Sequence, residues 1–314
     1  MDLCHQALTT GCGVADLSSR SRVELTGADR VQFLNSFCTN DIKRLAVGEG
    51  CEAFLTNHQG KTVGHVLVRV QAEVLVLDTS PEQAAKIIQH FDRFVISDRV
   101  EFHDRTAVTG ELLVVGKNAR RVLSEIGLGS LPANRWQHTL ATVQGVQVAV
   151  QKVDYAGEDS YFLTTRADDL AAIQRTLTTT GAVPCDAATV DAARIEAGFP
   201  LFGTDITDDN FPQEIGRNQQ AISFTKGCYL GQETVARIDA MGHVNWLLAR
   251  VKFAAAEIPV TGTELFAADK PVGKVTSACW SPKIDCPLAF ALLRRPHAKL
   301  GTQLTGLGVP AEVC

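Results

Sequence analysis

The sequence predicts an α+β fold followed by a small antiparallel β-barrel, on three observations. Strand-like and helix-like segments are mixed through the first 240 residues, and several strands pair as hairpins across turn residues such as Gln144-Gly145. No G-x-G-x-x-G or phosphate-loop motif occurs, so a doubly wound nucleotide-binding sheet lacks support. After Met241-Gly242-His243 the pattern changes to short strands between Gly and Pro breaks. We therefore expect one α+β region over 1–240, built of two interleaved lobes, and a barrel domain over 241–314.

The individual elements follow from local pattern. Arg22-Val23-Glu24-Leu25 alternates as a strand. Thr26-Gly27-Ala28-Asp29 opens a helix, with Thr26 as the cap and Asp29 near its positive end. Val31, Leu34 and Cys38 then recur at helical spacing. Residues 51–78 read as a β-meander with strands at 53–55, 62–70 and 74–77, turning at Asn57-His58-Gln59-Gly60. Ser80-Pro81-Glu82-Gln83 reads as a capped helix start with proline in its first turn, and Ala84, Ile87, Ile88, Phe91 and Val95 form the apolar stripe. A short helix is expected at 117–126, strands at 135–143, 146–153 and 161–165, and a helix at 167–177. The helix over 186–198 can end on Gly198, and Pro200 prevents its continuation. In the barrel, strands are expected at 246–253, 264–267, 272–280 and 288–293.

Composition limits the function. The 314 residues are 21% charged and 45% hydrophobic, which is ordinary for globular proteins. A net charge of −5 and a pI near 5.9 do not draw the whole chain to nucleic acid or to an anionic membrane. No basic stretch interleaved with aromatics stands out, so direct nucleic-acid binding is not expected. The nine cysteines are scattered, odd in number and free of C-x-x-C, which argues against a disulfide framework or a self-contained metal site. Residues 1–10 lack a basic region followed by an apolar core, and no apolar run can span a bilayer. We expect a cytoplasmic protein with no membrane association.

The chemistry concentrates in Lys226-Gly227-Cys228-Tyr229-Leu230-Gly231-Gln232-Glu233. In an extended segment Lys226 and Cys228 share a face, and the ammonium would favour the thiolate, the form that attacks electrophiles or binds a soft metal. The alternative is a packed cysteine at a helix N-terminus. The octapeptide resembles the K-G-C-Y-x-G-Q-E signature of the YgfZ-type folate-binding proteins, relatives of the tetrahydrofolate-dependent aminomethyltransferase of glycine cleavage, the T-protein. The resemblance extends along the chain. Residues 16–42, ending in Thr39-Asn40-Asp41-Ile42, are similar to the opening of both families. Residues 194–206, RIEAGFPLFGTDI, resemble a shared R-x-E-x-G-x-P segment that lines the folate pocket, and 271–295 resembles the closing barrel.

The resemblance implies a GcvT-like multi-lobe folate-binding fold, tetrahydrofolate or a one-carbon derivative as ligand, and a role in iron–sulfur cluster assembly or repair in client enzymes, some of which modify tRNA. Glu196 is the expected pterin ligand, because one carboxylate can accept from the adjacent N–H and amino groups of a pterin; its alternative is an ordinary surface carboxylate. Arg217 is expected at the ligand's glutamate tail, or as a solvated loop arginine. Lys226, Cys228 and Tyr229 are expected near the folate, with Cys228 as redox thiol, nucleophile or one ligand to a transient metal. One departure is informative. The aminomethyltransferases carry N-E-x-G-G-x-x-D-D in the meander turn, with an aspartate tied to catalysis, whereas this chain reads Asn57-His58-Gln59-Gly60-Lys61-Thr62-Val63-Gly64-His65. Glycine and a titrating imidazole are no substitute for a fixed carboxylate, so the glycine-cleavage reaction itself is doubtful. Three functions stay open: the cluster-support role, a folate-dependent one-carbon transferase or demethylase, and a non-catalytic folate-binding scaffold.

Overall fold

The computed structural model describes residues 3–314; Met1 and Asp2, the start of the segment read for a leader, lie outside the described residues. In chain order the elements are α1 (Leu3–Thr9), β1 (Gly13–Asp16), β2 (Arg20–Thr26), α2 (Arg30–Asn35), β3 (Gly50–Thr56), β4 (Thr62–Val70), β5 (Leu75–Pro81), α3 (Ala84–Asp92), β6 (Glu101–Asp104), β7 (Thr109–Val115) and α4 (Ala119–Glu125). They continue with β8 (His138–Val143), β9 (Val146–Val153), β10 (Ser160–Arg166), α5 (Leu170–Thr179), β11 (Val183–Pro184), α6 (Ala187–Ala197), α7 (Asn218–Ala221) and α8 (Gln232–Met241). Strands β12 (Trp246–Phe253), β13 (Glu264–Ala267), β14 (Lys270–Ser281), β15 (Cys286–Arg294), β16 (Gln303–Gly306) and β17 (Val309–Val313) complete the chain.

The α+β reading holds. One sheet runs β3-β4-β5-β2-β6 and a second runs β11-β1-β7-β10-β9-β8, so consecutive strands β1 and β2 enter different sheets. The last six strands form a closed barrel, which leaves no open edge. Each unit buries an aliphatic core: Leu25, Leu34, Val66 and Leu77 in the first sheet, Leu112, Val150 and Leu163 in the second, Val251, Leu265 and Leu293 in the barrel. Between the two sheets lies a buried charge network. Arg20 Nε donates to Asp78 Oδ1 at 2.8 Å, and Arg22 Nη2 lies 3.0 Å from Glu111 Oε1. Arg69 Nη1 donates to Thr164 Oγ1 at 2.8 Å, which in turn donates to Glu111 at 3.0 Å.

Two expected helix starts are corrected. Ser80 and Pro81 extend β5, with Pro81 opposite Arg20, and α3 begins only at Ala84. The Gln83 N–H that a capping side chain would have taken is bound by Ser21 Oγ at 3.0 Å, so sheet pairing outweighs the local cap signal. Thr26 ends β2 and bonds His103 at 3.2 Å, leaving Asp29 at the head of α2. That helix stops at Asn35, and Cys38 sits instead in a bridge to Leu55. The barrel contains two more strands than expected, β16 and β17, turning at Leu307-Gly308.

One buried group makes stability pH-dependent. His138 is buried on β8, its Nδ1 has no partner, and burial, reinforced by Arg69, pushes its pKa down to about 4. The unfolded chain therefore binds a proton near pH 6.5 that the folded chain refuses until about pH 4. Stability falls as pH drops through that window, by about 3 kcal/mol in all. Urea titrations between pH 7 and 4 check this, and His138→Leu is expected to flatten that part of the profile.

Candidate functional site

Helix α6 positions Glu196. Asp186 caps it by accepting from the Thr189 N–H at 2.8 Å, and Gly198 ends it in the left-handed conformation at φ 79°. Arg194, one turn before the end, is fully buried and donates to Asp205 at 2.8 Å; Asp205 also accepts from Thr276 at 2.7 Å and Ser277 at 2.6 Å on β14. The Arg and Asp of RIEAGFPLFGTDI are thus the bolt between α6 and the barrel. Arg250 of β12 adds a short hydrogen bond to the Glu196 carbonyl.

The Glu196 carboxylate lines a cleft of about 480 Å³ together with His5, Leu8, Gly116, Lys117 and Lys283. Its side chain is 8% exposed. Oε2 lies 3.3 Å from His5 Nε2, and Oε1 accepts a short bond from the Ser281 hydroxyl and one from the Lys283 N–H at 3.2 Å. A carboxylate offers about four lone-pair directions, so a ligand bringing two N–H groups must displace at least one of these donors. The rotatable Ser281 hydroxyl is the easiest to turn away. The cleft volume is within the range of small-molecule sites, and the carboxylate in its wall suits a donor pair, so these residues fit a pterin.

The octapeptide is held elsewhere, against the first sheet. Gly231 has φ 80°, and a Cβ there would meet Asn57 O at 2.3 Å; Gly60, at φ 76°, would meet Gly231 O at 3.0 Å. The two glycines let the 57–60 turn and the motif touch backbone to backbone. Thr39 donates to Ala221 O at 2.6 Å and Asn40 to Gln220 O at 3.0 Å, so Thr39-Asn40 braces the segment leading into the motif. Lys226 is buried, and its ammonium donates to the carbonyls of Asn35 at 2.7 Å, Cys38 at 2.8 Å and Asn40 at 2.6 Å, with burial pushing its pKa down. The expected face-sharing with Cys228 does not hold: the segment is irregular rather than strand, the cation is directed inward, and the Cys228 side chain is exposed. Tyr229 is buried among Phe54, Phe202 and Val235, and burial pushes its phenol up.

Arg217 is buried and already paired. It grips Glu52 through two bonds, one short and one of 2.6 Å, and reaches Asp154 at 3.1 Å. Glu52 also binds His65 Nε2 at 2.7 Å, and the imidazole packs on Phe54 and Phe199 with ring centroids 5.0 and 5.5 Å apart. Burial alone would raise the Glu52 pKa, but the bonds from His65 and Arg217 hold it below the usual carboxylate range. The structure thus separates the five expected residues. Glu196 lines the cleft, and Arg217, Lys226, Cys228 and Tyr229 do not. Sequence reasoning missed Glu52, His5 and Ser281. Glu52 could have been noticed as a lone acid in the strand segment Cys51-Glu52-Ala53-Phe54-Leu55, while the other two carried no signal. Among the described residues no group of three or more His, Cys, Asp or Glu is arranged to hold a metal.

Comparison with known proteins now bears on this geometry. An aminomethyltransferase of Halalkalibacterium halodurans is 28% identical over 310 residues, covering 96% of this chain and 83% of that one. A putative chloroplastic transferase of Arabidopsis thaliana is 25% identical over 308 residues, covering 97% and 70%. The crystal structure of the glycine cleavage system aminomethyltransferase T from Bartonella henselae superposes with a TM-score of 0.89 over 98% of this chain and 86% of that one, at 20% identity, which shows the shared fold. Residues 4–226 match the GCVT N-terminal domain and residues 248–314 the glycine cleavage T-protein C-terminal barrel domain, and on the first of these matches the chain belongs to the GcvT family.

Proposed function

We propose that this chain is a cytoplasmic, tetrahydrofolate-binding protein of the YgfZ-type branch that supports the assembly or repair of iron–sulfur clusters in client enzymes, tRNA-modifying ones included. The observation that carries the folate part is the Glu196 carboxylate, nine-tenths buried in the wall of a 480 Å³ cleft. Glu196 would hold the pterin N–H pair, with the Ser281 hydroxyl yielding and His5 keeping the carboxylate oriented. Bound tetrahydrofolate supplies a carrier for one-carbon units. The branch assignment is supported by the octapeptide, by the Gly60-Lys61 turn packed on it, and by His65 standing where the aminomethyltransferases have an aspartate, tied down by Glu52. In this reading region 1–240 binds folate, barrel 241–314 covers it, and Cys228 meets the client. An exposed thiol preceding α8 is accessible to a protein partner, which the cleft interior is not.

Cys228→Ser is expected to keep the fold and tetrahydrofolate binding but to drop client activity in a cluster-maintenance assay to the level of a deletion strain. Full client activity in Cys228→Ser would remove the thiol from the mechanism. The aminomethyltransferase names of the relatives favour a second reading, one-carbon transfer. Release of a methylated amine's carbon to tetrahydrofolate by the purified protein would establish it. Client binding that survives loss of folate binding would favour a scaffold.

A further inference from the structure

Helix α1 is one wall of the Glu196 cleft, and it also carries a thiol. His5, Leu8, Thr9 and Thr10 face the cleft. One residue before His5, Cys4 Sγ donates to Pro184 O at 3.5 Å, and Cys185 Sγ points back at Cys4 O at 3.8 Å. The Cys4 and Cys185 side chains also lie within hydrogen-bonding reach of each other, and both are only partly buried. Cys185 follows β11 and precedes Asp186, the cap of α6, so it is fixed to the helix that bears Glu196. The two thiols thus join the element carrying His5 to the element carrying Glu196, across 181 residues of chain.

We propose that Cys4 and Cys185 form a peroxide-sensitive dithiol pair whose disulfide ties α1 to the β11–α6 junction and so locks His5 on Glu196. The chemistry balances with hydrogen peroxide as oxidant. Peroxide oxygen transfers to the Cys4 sulfur, giving a sulfenic acid and one water; the Cys185 sulfur then displaces the hydroxyl, forming the S–S bond and a second water. Two thiols lose two electrons and two protons to one peroxide. Burial and the neighbouring Cys4 thiol push the Cys185 pKa up to about 12, which makes Cys185 the poorer nucleophile toward peroxide. A helix of seven residues has little stability of its own, so a covalent tie has leverage on the wall it forms. That this lock regulates folate access rests on the proposed function.

The test treats the purified full chain with stoichiometric hydrogen peroxide, then maps disulfides by alkylation and peptide mass and follows amide exchange in residues 3–9. The expected result is a Cys4–Cys185 peptide, exchange in α1 slowed roughly tenfold, and a melting point raised by several degrees. All three are to be reversed by dithiothreitol and absent in Cys185→Ser. A different disulfide partner, or the correct disulfide with unchanged exchange in α1, would overturn the proposal. Tetrahydrofolate titrated into both redox states separates the two ideas. Slowed exchange with a several-fold change in affinity supports the lock and its role; slowed exchange with no tetrahydrofolate binding in either state supports the lock and removes the folate reading.

Discussion

Arg217→Met is expected to destabilise the protein by about 3–5 kcal/mol, the range for stripping one partner from a buried ion pair. The residue joins three parts of the fold: Glu52 on the first sheet, Asp154 after β9 of the second, and the segment before α7. Without it Glu52 stays buried with only His65 as partner. The double variant Arg217→Met with Glu52→Gln should recover a large part of the loss, because no uncompensated carboxylate remains, and a urea double-mutant cycle measures this directly. The pH profile must change too. In the wild type the Glu52 pKa lies below its unfolded value, so its contribution is fully present above about pH 4.5 and lost as pH falls through the folded pKa. Removing the guanidinium reverses the balance toward burial, and that acid-side loss should shrink. Additive single-variant effects would contradict the pairing.

Lys226→Met is expected to cost about 3 kcal/mol, since the buried carbonyls of Asn35 and Cys38 at the exit of α2 lose their donor together, the half-buried Asn40 carbonyl keeps only the Cys38 thiol, and each unsatisfied group costs roughly 1–3 kcal/mol. Lys226→Arg should not restore the loss, because a planar guanidinium cannot aim at three oxygens arranged around a compact ammonium. The variant also loosens the motif. Amide exchange over residues 223–231 should accelerate and alkylation of Cys228 should quicken, while tetrahydrofolate affinity changes little because the cleft is formed without this loop. A variant within 0.5 kcal/mol of wild type with unchanged exchange would show that the carbonyl cage does not organise the motif.

These two residues also show where sequence reading stops. Elements governed by local pattern were legible: the Asp186-capped, Gly198-ended helix α6, the Gln144-Gly145 hairpin, and barrel strands β12 and β13. Glu196 was legible as a candidate because its helix end and its neighbours form a recognisable segment, and the structure places it in the cleft wall. What Lys226 does was not legible, because its partners are main-chain carbonyls nearly 190 positions away and carry no sequence mark. Arg217 and Glu52 meet across 165 positions, so Arg217 was read as a clamp for the ligand's tail or a solvated loop arginine, and its buried partner Glu52 was not seen. At Ser80-Pro81 a strong local cap signal lost to pairing with β2, a choice only the sheet could make. Helix α1 was missed because its seven residues show too few turns for periodicity, yet it supplies His5 to the cleft.

The most direct test of the folate account is an anaerobic calorimetric titration of the reduced protein with tetrahydrofolate, beside Glu196→Gln. The account predicts micromolar binding to the wild type and a loss on the order of 100-fold in the variant, since an amide presents one acceptor and one donor to two ligand N–H groups. Equal binding by both proteins, or none by the wild type, would contradict it.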